Sequence, residues 1–216
     1  MPELSFQIDG VAVVPFAAIP SLSFKLCITN QPASENVHTI ALRCQIMLDV
    51  TRRRYNTEEQ KHMLDLFGEP ERWSQTLRSL LWTHVNLAVP GFQASTDVEL
   101  PVPCTFDFNV ASTKYFAGLE EGDIPLVFQF SGTVFYAEAD GLLQVSPISW
   151  QHEAKFRLPI KIWREMMFTY YPNSAWLCLQ KDAFDRLHQY KMQHGIPTWE
   201  ALIEAVVPAE ETVVGK

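Results

Sequence analysis

Chemistry in this chain could rest on its histidines, its scattered cysteines or a run of three consecutive arginines, and each type makes a different demand on spacing. His84 and His152 draw attention first. Each lies on an alternating apolar stretch, next but one to Trp82 and Trp150 respectively. A histidine in such a setting can serve as a general base or a ligand if a carboxylate or thiol approaches it. More often it is a core side chain with a satisfied hydrogen bond. These two residues form the candidate polar site. Nucleophilic catalysis would need a serine or cysteine poised by such a histidine, usually on a forced turn, and no G-x-S-x-G occurs. The 9 glycines do not cluster into a phosphate-cradling loop. The nearest approaches to metal-ligand spacing are His62 with Asp65, His152 with Glu153, and His188 with His194. None extends to a full ligand set. The expectation is therefore no catalytic residue, no metal and no cofactor.

Arg52, Arg53, Arg54 and Tyr55 follow an alternating strand and precede a helix start, so they occupy a strand-to-helix corner. Arginine offers a planar fork suited to carboxylate or phosphate, which makes the corner a candidate site for an acidic partner. The competing account is a solvated corner whose arginines pair with Glu58, Glu59 or other acids. Glu120, Glu121 and Asp123, beside Gly118 and Gly122, fit a solvated loop better than an acid/base pair.

The elements around these residues are set mainly by period-two alternation. Leu4, Phe6 and Ile8 share one strand face, as do Leu22, Phe24, Leu26 and Ile28, and again Ile40, Leu42, Cys44, Ile46, Leu48 and Val50. One wet side per strand favours antiparallel sheets. Between strands lies the segment from Leu64 to His84. Thr57 and Gln60 have capping-box spacing for a helix carrying Met63, Leu64 and Phe67. Gly68 ends that helix, and Pro70 opens a second whose face is Trp73, Leu77, Leu80 and Leu81. This predicts a helical hairpin over about 57–81, with Glu69, Glu71, Arg72 and Arg78 on its exposed surface. A strand through Val85 and Val89 follows.

Even positions are apolar from Val98 to Val110, and Pro101 and Pro103 force such a strand to an edge or a bend. Further strands run through Leu126, Phe128, Phe130, Val134 and Tyr136, with Gly132 at a bulge, and through Trp150, His152, Ala154, Phe156 and Leu158. Asp140-Gly141 suits the hairpin turn before Leu143 and Val145. Helical spacing begins after Pro159, and Trp176 to Leu179 reads as a short strand. Asp182 can cap a helix ending at Gly195, and Pro197 opens the last one, carrying Trp199, Leu202, Ile203 and Val206. The expected fold is α+β: an antiparallel β-sandwich or strongly coiled sheet, an inserted helical hairpin, and C-terminal helices. One domain should span 1–207, with its helix-rich part over about 159–207 and a flexible tail at 208–216. Most of the tryptophans, Trp73, Trp82, Trp150, Trp163, Trp176 and Trp199, read as core.

Seventeen basic residues against 25 acidic ones give a net charge of −8, which repels a phosphate backbone and argues against nucleic acid as partner. Cys27, Cys44, Cys104 and Cys178 form no C-x-x-C pair and fit free thiols in a reducing cytoplasm. The start of the chain carries acid early and lacks a secretory pattern, and no apolar run reaches the length of a membrane span.

The runs ALRCQI (Ala41 to Ile46), RRRY (Arg52 to Tyr55), LFGEPERW (Leu66 to Trp73), LLWTH (Leu80 to His84), LPVPCTFDF (Leu100 to Phe108), FSGTVFY (Phe130 to Tyr136) and PIKIWREMM (Pro159 to Met167) together carry a resemblance. The chain resembles an uncharacterised bacterial family, a domain of unknown function encoded beside [NiFe]-hydrogenase structural and maturation genes. The resemblance covers nearly the whole chain and brings no catalytic residues with it. It implies an association with hydrogenase production or operation, and the leading expectation is a non-enzymatic accessory protein that binds a hydrogenase subunit or maturation factor. Two other classes stand beside it: a sandwich that binds a small apolar ligand or lipid, and an enzyme using a strand histidine.

Overall fold

In a computed structural model the described residues are 2–104, 110–137, 141–174 and 179–207. They group into two compact units, Met1–Asn173 and Ser174–Lys216, and each is described by itself. The first holds seven antiparallel strands in two sheets. β1 (Glu3–Val13), β2 (Ser21–Gln31) and β5 (Ser95–Pro103) form one sheet in the order β1-β2-β5. β3 (Asn36–Leu48), β4 (Leu80–Val89), β6 (Asp123–Ala137) and β7 (Leu143–Pro159) form the other in the order β4-β3-β6-β7.

Alternation dictates which sides meet. Leu22, Phe24, Leu26, Ile28, Leu100 and Val102 from the first sheet are fully buried, as are Ile40, Cys44, Ile46, Leu48, Phe128 and Phe130 from the second. Aromatic rings join the layers: Phe24 meets Phe128 edge-on with centroids 5.0 Å apart, and Phe6 stacks on Phe130 at 4.5 Å. The α+β sandwich expected from alternation is the observed architecture. β5 lies at a sheet edge, which lets Pro101 and Pro103 sit in it without costing interior ladder bonds.

Gly132 marks the predicted bulge. Its φ is 142°, and a Cβ there would lie 2.1 Å from the carbonyl oxygen of Ala41 on β3. Opposite it, β7 takes the step from Ile148 to His152 while β6 moves only from Phe130 to Gly132. The surplus of two residues on β7 keeps its parity, with even positions inward on both sides of the irregularity and only Trp150 out of pattern. Leu143 and Val145 are exposed, Ser146 and Ile148 point inward, and Trp150 is thrown outward at 78% exposure. Trp150 is thus no core residue, because its place in the alternation is interrupted by this irregularity.

Several expected elements differ. The capping box sits one residue earlier than Thr57 and Gln60: Asn56 accepts from the backbone N–H of Glu59, whose carboxylate reaches back to Asn56. α1 (Thr57–His62) and α2 (Leu64–Phe67) bury Met63 and Phe67, and Gly68 closes α2 at φ 71°. The second helix of the hairpin shrinks to a 3-10 turn at Pro70–Arg72 and α3 (Trp73–Thr76). Leu80 and Leu81 already belong to β4, paired with Leu48 and Met47, so strand pairing overrides the helical spacing of Trp73, Leu77 and Leu80. The long alternation after Val98 ends as a strand at Pro103. Residues 105–109 lie outside the described set, and α4 (Val110–Ala117) follows.

α5 (Ile160–Tyr170) turns Ile160, Trp163 and Met166 inward. The Tyr170 hydroxyl donates to the carbonyl of Val14 at 2.7 Å and accepts the Ala17 N–H at 2.8 Å. It thereby braces the β1–β2 loop, whose Phe16 has φ 57° and a fully exposed ring.

The second unit contains α6 (Lys181–Gln193) and α7 (Trp199–Val206). Asp182 lies in the first turn of α6 and Gln180 holds the cap position. Thr198, directly after Pro197, caps α7 by accepting the Ala201 N–H at 3.1 Å. Phe184 packs against Trp199 with centroids 5.3 Å apart. The strand expected over Trp176 to Leu179 falls mostly outside the described residues, as do Asp140, Cys178 and the tail at 208–216.

Candidate functional site

The arginine run is divided by burial. Val50–Arg52 forms a 3-10 turn directly after β3, and this turn aims successive side chains in different directions. Arg53 goes inward. Its guanidinium donates to the carbonyl of Asp123 at 2.7 Å and of Glu121 at 2.5 Å, and forms an ion pair with Glu59. The two side chains are 9% and 3% exposed. Burial alone would raise the Glu59 pKa, but the Glu120 N–H, the Arg53 guanidinium and the Asn56 N–H together hold it below its ordinary value.

Tyr55 joins the same clasp. Its hydroxyl donates to the carbonyl of Val50 at 2.7 Å and lies 2.9 Å from the hydroxyl of Tyr115, while its ring meets Trp73 edge-on. Burial pushes the Tyr55 phenol upward and the Tyr115 phenol up to about 12. Arg53 does pair with Glu59, as the competing account has it, but the pair is buried and not part of a solvated corner. Arg53 and Tyr55 brace the corner from within.

Arg52 and Arg54 point outward. Arg52 pairs with Asp49 at 3.1 Å but leaves its side chain 68% exposed. Among the described residues Arg54 has no ion-pair partner. Glu69, Glu71, Arg72 and Arg78 are all exposed, on the turn before α3 and on the link into β4. Trp73 folds back beneath them, donating its indole N–H to the carbonyl of Gly68 at 2.9 Å. These outward residues therefore ride on a packed aromatic base of Tyr55, Phe67, Trp73 and Tyr115.

Arg52 also edges an open cleft of ≈ 290 Å³ on the outer side of the four-stranded sheet, with Asp49, Val127, Lys155 and Arg157. Lys155 and Arg157 did not enter the sequence-based site. Their signal was available: Glu153, Lys155 and Arg157 occupy the odd positions of β7, opposite the inward Ala154, Phe156 and Leu158.

The two histidines do not come together. His84 lies on the outer face of β4, its Nε2 3.1 Å from the Gln45 side-chain oxygen. Gln45 donates in turn to Gln129 at 3.1 Å. His152 is half-buried and packs edge-on against Phe6 with centroids 5.6 Å apart. It lines a separate open cleft of ≈ 360 Å³ with Leu4, Val134, Ser146 and Ile148.

One donor cluster was not anticipated. Asp9, Cys27 and Asp97, from three adjacent strands, place ligand atoms within 4.8 Å of one another. Lys25, 2.8 Å from Asp97, already supplies a positive charge there. Cys27, Cys44 and Cys104 are free thiols. Burial pushes Cys44 and Cys104 up to about 12. Among the described residues no helix is long and apolar enough to cross a membrane.

No curated protein matches the chain. Among solved structures it is similar to a CARDB domain from Pyrococcus furiosus, solved in complex with di-metal ions, at 9% identity over 73% of this chain and 92% of that one, with a TM-score of 0.28. A putative late embryogenesis abundant protein is similar at 14% identity over 74% and 72% of the two chains, with a TM-score of 0.32. The putative ApaA protein of Bordetella pertussis is similar at 14% identity over 73% and 93%, with a TM-score of 0.24. A family model described as a family of unknown function (DUF6084) matches residues 1–214, and the chain belongs to that family.

Proposed function

We propose that the protein is a non-enzymatic accessory factor that works by binding a partner protein. The observation that carries this reading is the built corner. Arg53, Glu59 and Tyr55 are spent on an internal clasp, while Arg52 and Arg54 are left outward on a backbone that the clasp holds in place. Preorganised surface arginines favour recognition of carboxylates over chemistry. The resemblance set out above implies an association with hydrogenase production or operation, and the partner proposed on that ground is a subunit or maturation factor of a [NiFe]-hydrogenase. Co-purification from cells expressing a hydrogenase gene cluster tests this. Recovery of a hydrogenase subunit or maturation protein is the expected result, and its repeated absence would count against the reading.

A second reading, binding of a small apolar ligand, draws on the cleft beside Leu4, Val134, Ile148 and His152. Native mass spectrometry of freshly purified protein decides it, since a retained ligand would appear as a discrete added mass.

A further inference from the structure

The protein carries a net charge of −8, yet one cleft on the outer side of its four-stranded sheet reverses that sign. Arg52, Lys155 and Arg157 line it, with Asp49 as the one acid among the lining residues. Asp49 is engaged by Arg52 at 3.1 Å and accepts from the Thr51 hydroxyl at 2.8 Å. Glu153, next along the same face of β7, offsets part of Lys155 at 3.2 Å. Arg157 has no ion-pair partner among the described residues. Counting Glu153, the cleft keeps an excess of positive charge, and all of it is exposed. Clustered cations in a concave surface focus the local potential well beyond what the whole-molecule charge suggests.

We infer that this cleft is the docking site for an acidic segment of a partner protein, seated by carboxylates on Arg52, Lys155 and Arg157. The inference rests on the accessory-protein reading and names the site and the class of partner. Two features favour a protein segment over other anions. The lining includes Val127, half-buried on the outer face of β6, which suits an apolar side chain next to the carboxylates. The excess acid elsewhere on the molecule opposes a long polyphosphate backbone or an anionic membrane, both of which must run beyond the cleft. A short acidic segment can stay inside it. Electrostatic complementarity of this kind sets partner choice and association rate.

The probe is a short fluorescein-labelled peptide of Asp, Glu and Leu, followed by fluorescence anisotropy on the full chain at low and physiological ionic strength. Its Asn/Gln counterpart, a single-stranded DNA oligonucleotide and phosphatidylserine vesicles are the competing ligands. The acidic peptide should bind, weaken as salt rises, and lose about tenfold or more in affinity in the R52E/K155E/R157E variant. R157E alone, which breaks no ion pair, should produce part of that loss, and R186E on α6 should produce none. No binding to the wild-type chain would overturn the inference. So would affinity unchanged by the reversals, equal affinity for the amide peptide, or tighter reversal-sensitive binding of DNA or vesicles. Co-purification with the triple variant separates the two readings. A partner still captured would leave the accessory role standing and remove this cleft. Peptide binding with no partner captured from the wild type would do the opposite.

Discussion

Arg53 and Glu59 bury opposite charges where neither can be re-solvated if its partner is removed. Taking away one member of such a pair costs about 3–5 kcal/mol, far more than an exposed ion pair is worth. R53A should therefore lower stability by about that amount in urea denaturation, whereas R54A should leave the midpoint nearly unchanged. The pH dependence has a defined sign. The folded-state pKa of Glu59 is held below its ordinary value, so its contribution is complete above that ordinary value and is lost as pH falls through the lower, folded one. E59Q should flatten this part of the acid limb. The thiols allow a second test at this scale. In a C178S background, half-buried Cys27 should react with a disulfide reagent faster than fully buried Cys44, whose thiol burial pushes up to about 12. Comparable rates in the native protein would contradict the packing described. Sequence alone made Arg53 and Arg54 look equivalent. What separates them is a turn of backbone and the carbonyls of Glu121 and Asp123, which lie far along the chain and leave no local mark.

Strands were legible wherever one side met the core and the other met water. The buried faces of β1, β2 and β3 are those that alternation marks out. Failures occurred where two periods overlapped. Trp73, Leu77 and Leu80 fit a helix, but Leu80 gains a strand partner in Leu48, and a ladder across two strands outweighs a short amphipathic face. α4 was hidden by the opposite error, because alternation continued through to Val110. Where β6 faces the irregularity in β7, the element depends on one glycine. G132A would place a methyl carbon against the Ala41 carbonyl in a backbone region that L-residues avoid, and should destabilise the fold by more than about 2 kcal/mol or prevent folding. G141A shares a positive φ but meets open space, and should cost about 1 kcal/mol. Thermal denaturation of the two variants side by side separates collision from conformational preference.

The principal core is confined to the first unit, with its buried residues running from Leu4 to Met166. A chain ending at Asn173 should therefore keep a cooperative unfolding transition and an intact near-UV circular dichroism spectrum. Loss of both would mean that residues beyond 173 supply something the core lacks. At this scale the sandwich and its edge strand could be read from the sequence, because alternation and proline placement are local. The cationic cleft could not, since Arg52 and the β7 residues Lys155 and Arg157 are joined only through sheet order.

The Tyr170 hydroxyl grips the β1–β2 loop on both sides of Phe16, at Val14 and at Ala17. A peptide bond cut after that exposed ring would leave each new end tied to the same phenol, with β1 still laddered to β2 and Phe6 still stacked on Phe130. The molecule thus offers a place where its chain can be opened while its architecture holds, and a natural seam for reassembling it from two fragments.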